Sequence, residues 1–174
     1  MQPAGTLLGQ HVFGWQQNLM AVLVELEQGI VHLATFGVLN KDNPLFSFVE
    51  LASDSVDDGR LEVHEVFGLT LHARLVVLSA CRTALGAGVL ADVPEGDDWV
   101  GLVRAFLYAG AGNVLATLWP VDDRSTARLM ERFYTDLAAG QTATDALADA
   151  QRTIASNPAT SHPFYWAGFT LSGR

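Results

Sequence analysis

One cysteine, five histidines and the aspartate pair Asp122-Asp123 stand out among the side chains that could do covalent or acid–base chemistry in this 174-residue chain. Cys81 stands first among them. An apolar run, Leu75–Ala80, leads straight into it, and a loop carrying Gly86, Gly88 and Gly96 follows. Parallel α/β folds present a nucleophile in this way, because ligands bind where buried strands end and the chain must turn. If the run ending at Phe36 forms the neighbouring strand, Gly37 lies about 5 Å to the side of Cys81, one strand spacing. The backbone N–H groups of Gly37 and Cys81 would then make an oxyanion hole for an attacked carbonyl. Position alone does not establish this, since a lone cysteine ending an apolar strand is commonly just a small buried residue. A base decides between the two.

The histidines are His11, His32, His64, His72 and His162. No pair has metal-ligand spacing on one element, and a single cysteine makes no structural zinc site, so neither metal nor cofactor is expected. His32 stands four residues before Phe36 in the same run, about 13 Å down the sheet. His72 precedes the Cys81 strand and belongs to the opposite edge. His64 and His162 remain geometrically open. Asp122 and Asp123 follow a third apolar run; a helix N-cap is their simpler role, and substrate binding the other. Ser79 is a further candidate pocket lining.

The elements that must position these groups alternate along the chain. Leu19, Val22, Leu23 and Leu26 fall at helical spacing, which predicts a helix over Trp15–Glu27 ended by Gly29. Ile30–Phe36 reads as a buried strand, and Leu45–Ala52 with Arg60–Val63 as a hairpin with a polar tip. A short helix over His64–Leu71 and the buried strand Leu75–Ala80 follow. Asp97 and Asp98 offer an N-cap for a helix over Trp99–Ala109, which Gly110 and Gly112 stop. Asn113–Trp119 is a third buried strand. A helix over Ser125–Ala139, capped by Asp122-Asp123, has Ala127, Met130, Phe133, Tyr134 and Leu137 as its apolar face and ends at Gly140. Thr142–Asp145 resembles a capping box opening a helix to Ala155, and Phe164–Leu171 closes the chain as an edge strand. This alternation predicts a single α/β domain over residues 1–174 with a largely parallel sheet.

Composition narrows the function classes. A net charge of -9 with only 10 Lys and Arg argues against a nucleic-acid partner. The N-terminus lacks the basic start of a signal peptide, and the apolar stretch Val100–Val121 is broken by Arg104, Asn113 and Pro120. A soluble cytoplasmic protein without a membrane partner is expected. No phosphate loop or dinucleotide fingerprint is present, which leaves a small-molecule binder at the strand ends as the weaker alternative.

At several points the chain resembles the CHAT domain, the caspase-like domain often joined to tetratricopeptide repeats. The segments that carry the resemblance are Val31–Gly37, Asn43–Leu45, Leu75–Thr83, Glu95-Gly96, Gly101–Ala111, Ala116–Asp123, Ala146-Leu147, Ala150-Gln151 and His162–Phe169. They run in the family's order from about residue 15 to the end, with 1–14 poorly matched. The resemblance implies a caspase-like three-layer sandwich whose last strand is antiparallel at the edge. It implies a cysteine nucleophile at Cys81 and a histidine at the position that Phe36 occupies, before Gly37. The nucleophile is kept and the base is not. The chain thus looks like an impaired peptidase homologue that binds protein or peptide, with a TPR-containing region among its implied partners. The alternative is an active cysteine endopeptidase with a non-standard or partner-supplied base. The family also carries strands before the histidine strand, and the 29 residues here read as too few for them. An uncovered edge on the Ile30–Phe36 strand, and a homo-oligomer through it, are the expectations that follow.

Overall fold

The computed structural model describes residues 11–14, 21–25, 29–40, 42–55, 57–79, 100–119 and 121–173, the first two segments by their backbone alone. The chain divides into two compact units, Met1–Ala116 with Ser172–Arg174, and Thr117–Leu171.

In chain order the first unit carries β1 (His11–Gly14), β2 (Ala21–Glu25), β3 (Ile30–Ala34), β4 (Gly37–Val38), a 3-10 turn at Pro44–Phe46, β5 (Phe48–Glu50) and β6 (Arg60–Glu62). It continues with α1 (Val63–Gly68), β7 (Leu75–Leu78), α2 (Val100–Tyr108) and β8 (Asn113–Thr117). β3, β7 and β8 pair in parallel, Ile30 with Leu75 with Asn113. β7 is the central strand and reads as an unbroken apolar run because all four of its residues are buried. One face of the sheet packs Val76, Leu78, Val114 and Ala116 with Leu102, Ala105 and Phe106 of α2 and with Val63 and Val66 of α1. Gly110 ends the α2 segment at φ +112, where a side chain would collide with the Leu71 carbonyl. That close approach lets Leu71 N–H donate to Ala109 O at 2.7 Å.

The start of the chain corrects the sequence reading. Residues 21–25, expected inside a helix, form β2, which pairs antiparallel with β3 through Val22 with Leu33 and Val24 with Val31. β1 pairs antiparallel with β2 in turn. A short apolar run fits either period, and here the neighbouring strand decides. Gly29, at φ +64, supplies the turn between β2 and β3. Two strands therefore precede Ile30, and the outer side of β3 is covered by β2, against the expected uncovered edge.

β4, β5 and β6 make a separate antiparallel sheet, which confirms the hairpin and adds a third strand to it. Leu51 N–H donates to Gly59 O and Val63 N–H to Ser47 O, so the outward-facing donors of β6 are those of Arg60 and Glu62. Both are taken by side-chain carboxylates: Arg60 N–H by Asp58 Oδ1 at 3.0 Å, and Glu62 N–H by Glu65 Oε2 at 2.8 Å.

The second unit carries α3 (Asp123–Ala138), α4 (Ala143–Ala155), a 3-10 turn at Pro163–Tyr165 and most of β9 (Phe169–Gly173). Both helices start where the caps predict. Asp122 accepts from Ser125 N–H at 2.9 Å and Thr142 Oγ1 from Asp145 N–H at 3.2 Å. α3 buries Leu129, Met130, Phe133 and Leu137, whereas Ala127, expected on that face, is exposed. Asp136 is buried as well, held by Arg132 at 2.8 Å. The final strand begins five residues later than expected, because Pro163 starts a 3-10 turn capped by His162. Leu118 N–H donates to Gly168 O, and Gly173 lies against Gly112 and Asn113, so β9 runs antiparallel at the edge of the sheet.

Candidate functional site

The carboxyl ends of β3, β7 and β8 share one edge of the sheet, where an α/β fold places its ligands. The β3 end is built in detail. Thr35 is buried, and its hydroxyl donates to Glu50 O. That bond turns the chain out of the large sheet and into the small one at Phe36. Glu50 N–H then donates to Phe36 O at 2.8 Å, and Gly37 stands opposite Val49. In an antiparallel ladder the pair next to a hydrogen-bonded pair directs its donors away from the partner. The Gly37 N–H therefore faces away from β5. Gly37 is buried and Phe36 half-buried.

Next to this end, Ser79 N–H donates to Leu33 O at 3.0 Å and extends the β3–β7 ladder by one rung. Ser79 is half-buried there, two residues before Cys81. Cys81 and the loop 86–96 lie outside the described residues, as do Asp97 and Asp98. Phe36, Gly37 and Ser79 are thus brought to the ends of adjacent parallel strands. Asp122 and Asp123 belong to the second unit. Asp122 acts as the N-cap of α3, and the Ser125 N–H bond holds its carboxyl below the usual carboxylate range. Ser125 Oγ also donates to Asp122 O at 3.0 Å. Capping accounts for Asp122 without a substrate.

The remaining histidines have local roles. His32 sits mid-strand on β3 opposite Leu23 and Val77, and burial lowers its pKa to about 4. It is neutral at pH 7. His64 pairs with Glu62 at 3.1 Å and leans on the Phe46 ring, with centroids 5.3 Å apart. His162 caps the Pro163 turn by accepting from Phe164 N–H at Nδ1, 3.2 Å away. His72 is exposed in the link before β7, and His11 falls in β1 opposite Val24. Among the described residues no group of three His, Cys, Asp or Glu could hold a metal ion. A groove of about 450 Å³ between α3 and α4, lined by Arg128, Glu131, Arg132, Thr135 and Asn157 among others, holds none of the residues singled out for chemistry.

Two positioning residues escaped the sequence reading. The Thr35 hydroxyl carries no distinctive signal, because a threonine ending a strand is commonplace. Gln151 Nε2 donates to Trp166 O at 3.2 Å and to Phe169 O at 3.0 Å, fixing the segment before β9. Its signal was the Ala150-Gln151 pair, which pattern reading alone treats as helix surface.

The CHAT domain family model matches residues 11–174. Tetratricopeptide repeat protein 28 of Mus musculus is 40% identical over 113 residues, and its Homo sapiens counterpart 39%. Those alignments cover 65% of this chain and 4% of each relative, so the chain matches a small part of far longer proteins. Among the described residues no helix is long and apolar enough to cross a membrane.

Proposed function

Since this chain belongs to the CHAT domain family, a caspase-like family, we propose that it is an impaired cysteine-peptidase homologue acting as a protein-interaction or regulatory module. Phe36 carries this reading. In the caspase-like reaction the cysteine thiolate adds to the scissile carbonyl carbon, and the C–S bond forms as the carbonyl electrons move onto oxygen. Collapse of that oxyanion expels the amine, which must receive a proton as it leaves. Gly37 N–H and Cys81 N–H are the donors for the oxyanion, and the outward turn of Gly37 suits that part. A phenyl ring at position 36 can neither take the thiol proton nor give one to the amine. An unassisted thiol of pKa about 8.5 is only a few per cent thiolate at pH 7. Missing acid–base assistance lowers the rate by roughly 10²–10⁴. His64 and His162 are engaged with Glu62 and with the Phe164 N–H, which speaks against either as a replacement base.

The relatives' printed names supply a setting: a tetratricopeptide repeat protein in which such a domain is a minor part. A repeat region and a protein or peptide ligand are accordingly the partners assigned here, in a cytoplasmic location. The test is the labelling of wild-type Cys81 by a peptidyl chloromethylketone. Labelling no faster than that of a simple thiol is expected. Rapid, saturable labelling that Cys81→Ala abolishes would show a working peptidase instead.

A further inference from the structure

We propose that the face formed by the Pro44–Phe46 turn, α1 and α2 docks a basic amphipathic helix of a partner protein. The observation behind it is where large apolar side chains stay out of the core. Leu45 (48% exposed), Phe46 (44%), Phe67 (36%), Leu69 (41%) and Tyr108 (76%) all lie on or at the ends of these three elements. They are joined rather than scattered. The Phe67 and Tyr108 rings meet edge to face at 5.4 Å, Phe46 reaches His64 of α1, and α1 packs on both α2 and the turn. A contiguous apolar patch on a water-facing surface marks an interaction site, and aromatic side chains supply most of the anchors at such sites.

Charge says what the partner brings. Residues 42–65, which enclose the turn and the start of α1, carry seven carboxylates against one guanidinium, that of Arg60. Arg60 lies over the Phe48 ring, 4.9 Å from its centroid, and leaves the segment strongly negative. Asp42, Glu62 and Glu65 adjoin the patch in sequence, and Arg104, one turn before Tyr108, is the cation beside it. Carboxylates on the elements that carry the aromatic side chains, Glu62 and Glu65 at the start of α1 among them, fit an apolar helical stripe flanked by Lys and Arg. A second copy of this chain fits badly, because two molecules of net charge -9 would set like charges against each other. The inference gives a partner chemistry to the interaction role proposed above and rests on that role. Thiol labelling reads the cleft and peptide binding reads this face, so the failure of one is distinguished from the failure of the other.

The probe is a fluorescein-labelled Leu/Lys peptide of about 18 residues, leucines at i, i+3, i+4 and i+7, titrated with the intact chain by anisotropy. Alongside it runs the same peptide with Glu in place of every Lys. The Lys peptide is expected to bind with a Kd of about 10 µM, weakening as salt rises, while the Glu peptide does not bind. Binding falls at least about tenfold in Leu45→Ser/Tyr108→Ser, whose melting temperature drops by only about a few degrees, because Tyr108 is largely and Leu45 about half in water. Tyr108→Ser alone, at the most exposed of these side chains, serves if that pair proves unstable. The proposal is overturned if the Lys peptide binds wild type and a folded variant alike, or if the Glu peptide binds as well. It is equally overturned by no binding up to about 100 µM, or by a homodimer in sedimentation that the paired substitution dissociates.

Discussion

Under the proposed reading, Phe36→His is expected to supply an acid–base partner for Cys81, at a position whose backbone is already fixed without the phenyl ring. Thr35 Oγ1 and Glu50 N–H hold the crossover through main-chain oxygens, so the imidazole inherits the same placement. Removing a half-buried ring costs about 1–2 kcal/mol, small enough for the domain to stay folded. Two readouts then separate by magnitude. A thiol of pKa about 8.5 is about 3% ionised at pH 7, and a neighbouring imidazolium that brings it to about 6 raises the thiolate roughly thirtyfold. The less basic thiolate is also about tenfold less nucleophilic at a Brønsted slope near 0.45, so alkylation at pH 7 accelerates only a few-fold. Peptide cleavage also needs the proton for the leaving amine and rises by roughly 10²–10⁴. The assay follows iodoacetamide adducts by mass across pH, with Cys81 as the sole cysteine, beside cleavage of a fluorogenic peptide mixture against a Cys81→Ala background. A folded Phe36→His chain with unchanged alkylation midpoint and no cleavage would show that position 36 does not reach Cys81. Wild-type cleavage within a few-fold of the variant's would show that the base was never missing.

Two further outcomes bear on stability. Gly110→Ala, placing a methyl against the Leu71 carbonyl at a positive φ, is expected to lower unfolding free energy by about 2 kcal/mol or more in urea titration; a shift within error would mean that the turn relaxes freely. For His32 the folded pKa of about 4 lies below the unfolded value, so the unfolded chain binds the proton first as pH falls. Its contribution is full above about pH 6.5 and is lost progressively down to about 4, by about 3 kcal/mol. Urea midpoints between pH 7 and 4.5 measure this, and a His32→Gln chain with an undiminished slope would refute burial of the imidazole as the cause.

Local signals were read well from the sequence and long-range ones were not. α3 and α4 were legible because Asp122, Thr142 and Gly140 act within a few residues of where they stand. β7 was legible because a strand buried on both faces leaves an apolar run with no alternative use. β2 was misread because Val22, Leu23 and Leu26 satisfy a helical period, while what makes residues 21–25 a strand is pairing with β3, which no local pattern records. Ala127 was misassigned for a related reason: alanine fits either side of an amphipathic helix, and Leu129 takes the buried place. At the site, Cys81 stood out by its strand, whereas the proposal that Phe36 occupies a histidine position rests on the family resemblance alone, since nothing in a phenylalanine points to it. The Asp122 carboxylate was legible as a cap, and capping is what it does.

The occupied donors on β6 bear on how this domain behaves in a crowded solution. A foreign strand seeking to extend the small sheet would find the Arg60 and Glu62 amides already bonded to Asp58 and Glu65. It would also meet two negative charges placed along its line of approach. Growth of fibrils by stacking onto that rim requires breaking both capping contacts first. The two bonds thus make this rim a poorer template for strand addition than a bare ribbon of three short strands.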